Sequence, residues 1–364
     1  MRVLIAPDSF SGTLSARAAA DAIAAGWRHR RPGDVLDVLP VADGGLGTVD
    51  VLAHLGSPRT AAVEDALGRR VEATWLRLGD TAVVESATAC GRDLLPSPSP
   101  LAASSSGVGE LVCAALGEDV RRVVVGVGNT ACTDGGAGLA QALGAWLLGE
   151  DGHPLDPGGA ALARLARVER SDLDPRLGSV SVVAACDVDA PLLGPEGAAR
   201  GYGPQKGATP ADVDALEAAL ARYAALAGGD PDAPGAGAGG GLGYGLATFA
   251  GATLARGADV VLDLLGLAAR VPRADLVVTG EGSFDWQSLR GKAPAAVARA
   301  AAAEGVACVV IAGQVGVGRR ELGAHGVDAA YALADVAGSV EEAEADAAGW
   351  LAEVAASVAG EWSR

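Results

Sequence analysis

The stretch MRVLIAPDSFSGTLSARAAADAIAAGWRHR, residues 1–30, decides the fold class. Residues 2–7 form a short apolar run that predicts a buried strand. Ser15 is a plausible N-cap for the Ala-rich amphipathic helix that follows it. Residues 35–41 then alternate in polarity as a second strand. The chain therefore opens as strand, helix, strand.

The last third of the chain repeats this rhythm. Its predicted strands are residues 275–279, 307–312 and 329–333, and its predicted helices are residues 292–303, 319–325 and 340–358. Counting both ends of the chain gives five strands with helices between them. That alternation predicts an α/β fold, a flavodoxin-like doubly wound parallel sheet in the order 2-1-3-4-5.

The middle of the chain predicts a second α/β domain inserted into the first. Strands are expected at residues 69–78 and 81–84, and helices at 105–116, 136–147 and 209–226, the last with Thr209 as N-cap. A glycine-rich stretch, residues 234–245, is expected to lead back. We place the discontinuous flavodoxin-like domain at residues 1–60 plus 266–364, and the inserted domain at 61–265.

Composition excludes several classes of protein. The chain has 28 basic and 45 acidic residues, a net charge of −17, so it is not expected to grip nucleic acid or an anionic membrane. The five scattered cysteines and the absence of a signal-peptide pattern favour a soluble, cytoplasmic protein. Its partners are expected to be small molecules, and a monomer or a homodimer both fit.

Five glycine-rich loops pair glycine with acidic or hydroxyl residues. They are residues 8–13, 43–48, 126–138, 234–243 and 279–285. Any one of them could be only a tight turn. Together they indicate phosphoryl-transfer chemistry, because glycine lets backbone amides approach phosphates and carboxylates hold a divalent metal. Neither a P-loop signature nor a G-x-S-x-G elbow occurs.

The predicted topology gathers three of these loops. In a 2-1-3-4-5 sheet, strands one and three are neighbours at the switch point, where ligands bind at the carboxyl ends of the strands. The loops at residues 8–13, 43–48 and 279–285 follow strands one, two and three. We expect them to converge on one crevice, with the inserted domain closing over it.

Several ordered motifs carry a resemblance that covers essentially the whole chain. They are IAPDSF (5–10), PVADGGLGT (40–48), DGGAG (134–138), ACDVD (185–189), GPQKGAT (203–209), PGAG (234–237), TGEG (279–282) and GKAP (291–294). They resemble the type I glycerate kinase family. The resemblance implies a flavodoxin-like domain with an inserted α/β domain. It also implies an ATP- and Mg²⁺-dependent kinase that converts glycerate to 2- or 3-phosphoglycerate in organic acid catabolism.

Roles for individual residues follow from this resemblance. The expected catalytic residues are Asp187 and Asp189, as candidate bases, with Lys206 and Lys292, the only two lysines. Asp189, Glu281 and Asp285 are the expected metal ligands. Substrate and phosphate contacts are expected from Asp8, Ser9, Asp43, Gly44, Gly45, Asn129, Thr130, Gly235, Gly237, Glu281, Gly282, Asp285 and Arg290. Turn-capping aspartates and surface lysines are the alternative interpretations.

Three positions depart from the family pattern. Ser11 stands where the family usually has Lys, Ser283 where a basic residue is common, and Trp286 where a small one is. Two positive charges are therefore missing, for which Arg290 and Lys292 could substitute. Two alternatives stay open: a kinase for another small hydroxy acid, and a catalytically silent nucleotide- or metabolite-binding regulator. Turnover with glycerate separates the silent regulator from a kinase.

Overall fold

The computed structural model describes residues 1–10 and 12–362. Within them the chain forms two compact units, Met1–Asp43 with Ala258–Arg364 and Gly44–Gly257. The strands are β1 (Arg2–Ile5), β2 (Val35–Val38), β3 (Ser57–Glu64), β4 (Arg70–Leu78), β5 (Thr81–Glu85), β6 (Arg122–Val127), β7 (Trp146–Leu148), β8 (Arg167–Glu169), β9 (Ser181–Cys186), β10 (Thr253–Arg256), β11 (Leu276–Thr279), β12 (Ser283–Phe284), β13 (Ala307–Ala312), β14 (Gln314–Val315) and β15 (Ala329–Ala332).

The helices lie between these strands. They are α1 (Ala16–Arg30), α2 (Thr48–Leu52), α3 (Ala87–Cys90), α4 (Ser106–Leu116), α5 (Ala137–Ala142), α6 (Ala198–Tyr202), α7 (Pro210–Ala227), α8 (Ala238–Ala250), α9 (Gly257–Leu264), α10 (Leu267–Arg270), α11 (Ala293–Ala303), α12 (Arg319–Ala324), α13 (Leu333–Ala337), α14 (Val340–Ala345) and α15 (Ala347–Trp362). The mixed α/β class predicted from the alternating pattern is confirmed.

The first unit is built on a five-stranded parallel sheet. Its order is β15-β13-β11-β1-β2, which is 2-1-3-4-5 when its strands are numbered along the chain, as predicted. In the register, Val3 of β1 lies between Leu276 of β11 and Leu36 of β2. Strand β1 is therefore central, and the loops after β1 and β11 leave the sheet side by side.

Both faces of this sheet are covered by helices. Val3 and Ile5 join a core with apolar residues of α1 and α15. Leu4, which points to the opposite face, is also buried. Helix α11 is not part of the core that α1 and α15 form. It packs against β11 and β13, so it covers the opposite face of the sheet, where Leu4 lies. The Ser15 hydroxyl accepts a hydrogen bond from the Ala18 amide and caps α1, as its sequence predicts.

The second unit contains a six-stranded mixed sheet in the order β10-β9-β6-β5-β4-β3. Strands β10, β9, β6 and β5 run parallel, and β4 and β3 add antiparallel edges. The predicted pairing of residues 69–78 with 81–84 is confirmed as β4 and β5. Helix α7 begins with the predicted Thr209 N-cap, completed by Asp212 as a capping box.

Two helix predictions and one connector prediction are wrong in detail. The helix expected at 136–147 ends at Ala142, and β7 begins at Trp146. The glycine stretch at 234–245, predicted as a connector, enters α8. The left-handed φ angles of Gly239–Gly241 let that helix begin around a kink that residues with a Cβ would resist. The long C-terminal helix is broken at Asp346 into α14 and α15.

The compact units begin and end at other residues than the predicted domains. Gly44 contacts Ala185 and Gly257, and Glu85 binds the backbone of Gly47, so the segment after Asp43 packs with the second unit. Helix α9 packs with the first unit, where an ion pair joins Asp259 to Arg299 of α11. The domain boundaries predicted from the sequence stay a prediction.

Two further findings concern the cysteines and the possibility of a membrane-spanning helix. All five cysteines carry free thiols. No helix in the described ranges 1–10 and 12–362 combines the length and apolar character that a membrane crossing needs.

Helices α1 and α15 approach so closely at Gly26 that a side chain has no room there. A Cβ on Gly26 would lie 1.9 Å from the Ala352 carbonyl oxygen, a backbone atom. We expect Gly26→Ala to lower the free energy of unfolding by about 1–3 kcal/mol, the usual cost of overpacking. Urea denaturation measures this.

The matched control is Gly323→Ala in α12, where an added Cβ meets no atom within 4 Å. That variant should be neutral or more stable by up to about 1 kcal/mol, because alanine favours the helix. Equal effects of the two substitutions would contradict the close approach of α1 and α15.

Candidate active site

In the first unit, hydrogen bonds hold the segments after β1 and β11 together. The Asp8 amide donates to the Gly280 carbonyl oxygen at 2.8 Å, and the Thr279 hydroxyl donates to the Ala6 carbonyl oxygen at 2.7 Å. Asp8 and Glu281 follow directly from these contacts. The predicted convergence of these two loops therefore holds within this unit.

The segment after β2 joins the same edge of the sheet. The Val41 amide donates to the Pro7 carbonyl oxygen at 3.0 Å, which carries the chain toward Asp43. The charge of Asp43 raises the pKa values of both Asp8 and Glu281, so the three carboxylates lie within electrostatic range of one another. Three strands of the sheet thus contribute one acidic group each.

Two of these carboxyl groups are buried. Asp8 is 8 % exposed and Glu281 is 5 % exposed. Burial is the largest cause that raises the pKa of each, and for Asp8 the charge of Asp43 adds to it. The Ser9 amide, which donates to Asp8 Oδ1 at 2.6 Å, lowers the pKa of Asp8 in part. Ionising these buried carboxyl groups costs free energy, and a nearby positive charge lowers that cost.

Lys292 supplies a positive charge to this cluster. It is the N-cap residue of α11, and its Nζ lies 3.3 Å from Glu281 Oε2. Burial alone would lower the pKa of Lys292, but Glu281, Asp43 and Asp285 together raise it. The side chain therefore stays protonated at neutral pH, beside the N-terminus of an 11-residue helix. That combination attracts an anion such as a phosphate.

The remaining predicted residues of this unit surround the cluster. Asp285 Oδ1 accepts hydrogen bonds from the Gln287 and Ser288 amides, so this carboxylate shapes its own turn. Gly282 follows Glu281, and Arg290 is exposed at the end of the short helix before Lys292. Ser15, and not Ser9, caps α1.

The carboxylates of this cluster fit a hard divalent cation. Glu281 Oε1 is buried and has no hydrogen-bond partner in the described part of the chain. No group of three His, Cys, Asp or Glu side chains is arranged as a complete metal site within residues 1–10 and 12–362. Mg²⁺ does not need one, since it is usually held by one or two carboxylates and substrate phosphates.

In the second unit, the Gly44–Gly47 segment lies across the carboxyl ends of β5, β6 and β9. Glu85, at the end of β5, accepts hydrogen bonds from the Gly47 amide at 3.1 Å and the Val49 amide at 3.0 Å. A Cβ on Gly44 would lie 3.0 Å from the Ala185 carbonyl oxygen. The segment is therefore held by its backbone, and Gly44 has no room for a side chain.

Glu85 is a residue that sequence reasoning missed. It is buried, and burial raises its pKa, which the amides of Val49 and Gly47 partly offset. The available signal was an acidic residue that ends an otherwise apolar strand. Its role is to position the Gly44–Gly47 segment.

Asp187 and Asp189 follow β9, as predicted, but their surroundings differ. A Cβ on Gly128 would lie 3.4 Å from Asp187 Oδ2 and 2.7 Å from the Gly45 Cα, so Asp187 faces this glycine backbone. Asp189 Oδ2 lies 3.4 Å from an Arg256 nitrogen, and both side chains are half exposed. An exposed pair of this kind adds little stability, so Asp189 remains accessible to a ligand.

Lys206 is buried, in contrast to a solvated surface lysine. It is 7 % exposed, and its Nζ donates to the Cys132 carbonyl oxygen at 2.6 Å and to the Thr130 hydroxyl at 3.1 Å. Burial lowers its pKa. The side chain thus connects the short helix that ends at Lys206 to the segment that contains Thr130 and Cys132.

Asn129 has a backbone reason for its identity. Its φ is +52°, in the left-handed region that asparagine tolerates better than most residues. Its side chain bonds Asp93 and Arg92 at 3.0 and 3.1 Å. The only asparagine of the chain therefore fixes a turn after β6, next to Thr130.

Gly235 and Gly237 pack against the loop after β9. A Cβ on Gly237 would lie 2.1 Å from the Pro191 carbonyl oxygen, and one on Gly235 would lie 3.1 Å from Cys186 Sγ. These glycines therefore allow the close approach that supports the Asp187–Asp189 loop. The phosphate contacts predicted for them stay a prediction.

The predicted site residues divide between the two units. The first unit holds Asp8, Ser9, Asp43, Glu281, Gly282, Asp285, Arg290 and Lys292. The second holds Gly44, Gly45, Asn129, Thr130, Asp187, Asp189, Lys206, Gly235 and Gly237. Of the three departures from the expected motifs, Ser283 and Trp286 are exposed, and Ser11 lies outside the described residues.

Comparison with known proteins gives a consistent result. A family model described as "Glycerate kinase family" matches residues 3–363. The chain is 42 % identical over 370 residues to the glycerate kinase of Bacillus subtilis (strain 168), covering 99 % of this chain and 97 % of that protein. It is 41 % identical over 354 residues to the glycerate 2-kinase of Escherichia coli (strain K12), covering 94 % and 93 %.

A solved structure agrees with this match. The crystal structure described as a glycerate kinase 2 from Salmonella typhimurium LT2 superposes with a TM-score of 0.84 at 40 % identity. The superposition covers 99 % of this chain and 98 % of that one. The similarity therefore extends over both units.

The raised pKa of Asp8 predicts that this residue lowers stability at neutral pH. A carboxyl group whose folded pKa is raised binds its proton more tightly in the folded chain. Stability is therefore lost as pH rises from the unfolded pKa, about 3.9, through the folded pKa. We expect Asp8→Asn, which keeps an acceptor for the Ser9 amide, to gain stability relative to wild type across that window.

Urea unfolding of both proteins at a series of pH values between 4 and 8 measures this difference. A difference in stability that does not change with pH would show that Asp8 is not held at a raised pKa.

The burial of Lys206 predicts a structural cost on its removal. We expect Lys206→Met to lower the free energy of unfolding by about 1–3 kcal/mol, because the buried Cys132 carbonyl loses its donor. Arg290→Met, at an exposed cation, is the control and should stay within about 0.5 kcal/mol of wild type. If Lys206→Met is as stable as wild type by thermal and urea unfolding, the side chain does not tie the two segments together.

Proposed function

The chain belongs to the glycerate kinase family, and from this premise we infer that it phosphorylates glycerate to a phosphoglycerate with ATP as co-substrate. The match over residues 3–363 carries this inference. The acidic cluster with Lys292 at the carboxyl ends of β1 and β11 is chemically suited to it. Phosphoryl transfer depends mainly on positioning and on charge stabilisation, which such a cluster provides.

We further propose that the first unit is flavodoxin-like. Its all-parallel sheet in the order 2-1-3-4-5 supports this assignment. Ligands in such sheets bind outside the carboxyl ends of the strands at the switch point, which here lies between β1 and β11. Asp8 and Glu281 follow these two strands. The cytoplasmic location and the monomeric or dimeric state stay predictions of the sequence.

In this proposal Lys292 and the N-terminus of α11 bind the phosphates of ATP. The raised pKa of Lys292 keeps it charged, and positive charge beside the transferring group stabilises the transition state. Glu281 and Asp8 are the residues that would hold Mg²⁺, which would screen the charge of the phosphates. Asp285 is better placed to shape the loop that carries Glu281 than to bind the metal.

The proton of the accepting hydroxyl needs a base. We propose that one of the two aspartates after β9 accepts it while the hydroxyl oxygen attacks the γ-phosphorus and ADP leaves. Asp187, beside the backbone of Gly128, and Asp189, beside Arg256, are the candidates. The hydroxyl at either carbon 2 or carbon 3 of glycerate fits this scheme.

The activity is tested by coupling ADP release to NADH oxidation with D-glycerate as acceptor. We expect turnover that EDTA abolishes and excess Mg²⁺ restores, because the acidic cluster has only one lysine to offset triphosphate charge. A panel of other small hydroxy acids serves as the control for specificity. Nucleotide binding without turnover of any acid would favour the silent regulator instead, and turnover insensitive to EDTA would remove the metal from the scheme.

Paired variants identify the base. We expect Asp187→Asn or Asp189→Asn to lower kcat by about 10²- to 10⁴-fold, with the KM for ATP changed much less. Steady-state kinetics with each substrate varied gives both constants. The variant at the other aspartate is the matched control, because it removes one charge from the same loop. If both variants keep kcat within a few-fold of wild type, neither residue is the base.

A further inference from the structure

The first unit contains a cavity whose lining was only partly predicted from the sequence. Its volume is about 170 Å³, and Glu281, Gly282 and Lys292 line its polar end. Leu333, Val340 and Ala347 also line the cavity, beside the exposed Glu344. None of these four residues belongs to a glycine-rich loop. Charged and apolar side chains thus line the same cavity.

The apolar wall is built by three consecutive helices. Leu333 begins α13, Val340 begins α14, and Ala347 begins α15. Phe10, after β1, adds an aromatic side chain that is almost fully buried. Phe10 and Leu333 belong to the core of the unit and Ala347 is buried, so these residues favour an apolar group there.

The polar end carries groups that await a ligand. Glu281 lines the cavity and is 5 % exposed, and its Oε1 has no hydrogen-bond partner within the residues that the structure describes. Lys292, which lines the same end, begins α11. An anionic group near Lys292 and a hydrogen-bond donor or cation near Glu281 would satisfy this end.

We propose that this cavity binds the purine base of ATP, with the phosphates directed toward Lys292. The proposal rests on the proposed kinase function and deepens it by placing the nucleoside. A purine base has two flat apolar faces to bury, whereas glycerate carries an oxygen on every carbon and has no apolar surface of that size. The cavity therefore suits the nucleotide better than the acid.

The size of the cavity agrees with a base and excludes a whole nucleotide. Pockets that enclose drug-sized ligands usually measure about 300–1,000 Å³, whereas a cavity of about 150 Å³ is enough for a benzene ring. At about 170 Å³ the cavity holds a ring system, and the ribose and phosphates extend from its polar end.

The decisive variant fills the apolar end. Ala347 is 7 % exposed and lines the cavity, while its neighbour Ala348 on α15 is exposed and does not. We expect Ala347→Leu to weaken ADP binding, and to raise the KM for ATP, by about fivefold or more, because overpacking a filled space costs at least that factor. Ala348→Leu adds the same side chain outside the cavity and should bind ADP as wild type does.

Two probes separate the base from the phosphates. Isothermal titration calorimetry of the full chain with ADP and with inorganic tripolyphosphate, both with Mg²⁺, measures each part. In Ala347→Leu we expect weaker ADP binding and unchanged tripolyphosphate binding. A variant that binds ADP as tightly as wild type, or that loses both probes equally while folded, would overturn the proposal.

A second variant keeps the test valid if Ala347→Leu does not fold. Val340 is partly exposed at the start of α14, and Val340→Ala removes apolar surface without adding bulk. It should weaken ADP binding by about three- to tenfold and leave the KM for glycerate unchanged. An increase in the glycerate KM alone would assign the cavity to the acid and overturn the proposal. A wild-type chain that binds ADP in this way but does not phosphorylate glycerate would retain the cavity assignment and remove the kinase function.

Discussion

The site in the first unit depends on one electrostatic constraint, the burial of Asp8 and Glu281 at the ends of adjacent parallel strands. Backbone hydrogen bonds between the segments after β1 and β11 leave these carboxyl groups little freedom to separate. Burial and the charge of Asp43 raise their pKa values, and Lys292 offsets part of that cost. The arrangement is costly without a ligand, and in the proposed function a divalent cation bound with the nucleotide would supply the positive charge that it lacks.

In the second unit, close backbone packing positions the loop after β9, which carries two acidic residues. Glycines allow backbone segments to approach so closely that side chains do not fit, and they support the loop that carries Asp187 and Asp189. Glu85 holds the facing segment by two backbone amides. Lys206 acts within the same unit as an internal tie. Rigid backbone contacts of this kind reduce the reorganisation that a proton transfer requires.

Much of this architecture could be predicted from local sequence signals. The helix caps at Ser15 and Thr209 and the apolar strands are determined by residues close in sequence, and the parallel sheet of the first unit follows from the α/β alternation. The burial of Lys206 and the role of Glu85 could not be predicted, since they depend on residues distant in sequence. The prediction of residues 234–245 as a connector was wrong because residues 239–241 adopt left-handed φ angles inside a segment that continues as a helix.

The chain has only two lysines, so lysine NMR tests the central claim directly. Labelling with ¹³Cε-lysine gives two side-chain signals, which Lys292→Arg assigns. We expect Lys292 to titrate above its ordinary pKa and Lys206 to titrate below it. We also expect ADP with Mg²⁺ to shift the Lys292 signal and inorganic tripolyphosphate to do the same. A Lys292 signal that neither ligand moves, at concentrations where calorimetry shows binding, would contradict the placement of the phosphates at this lysine.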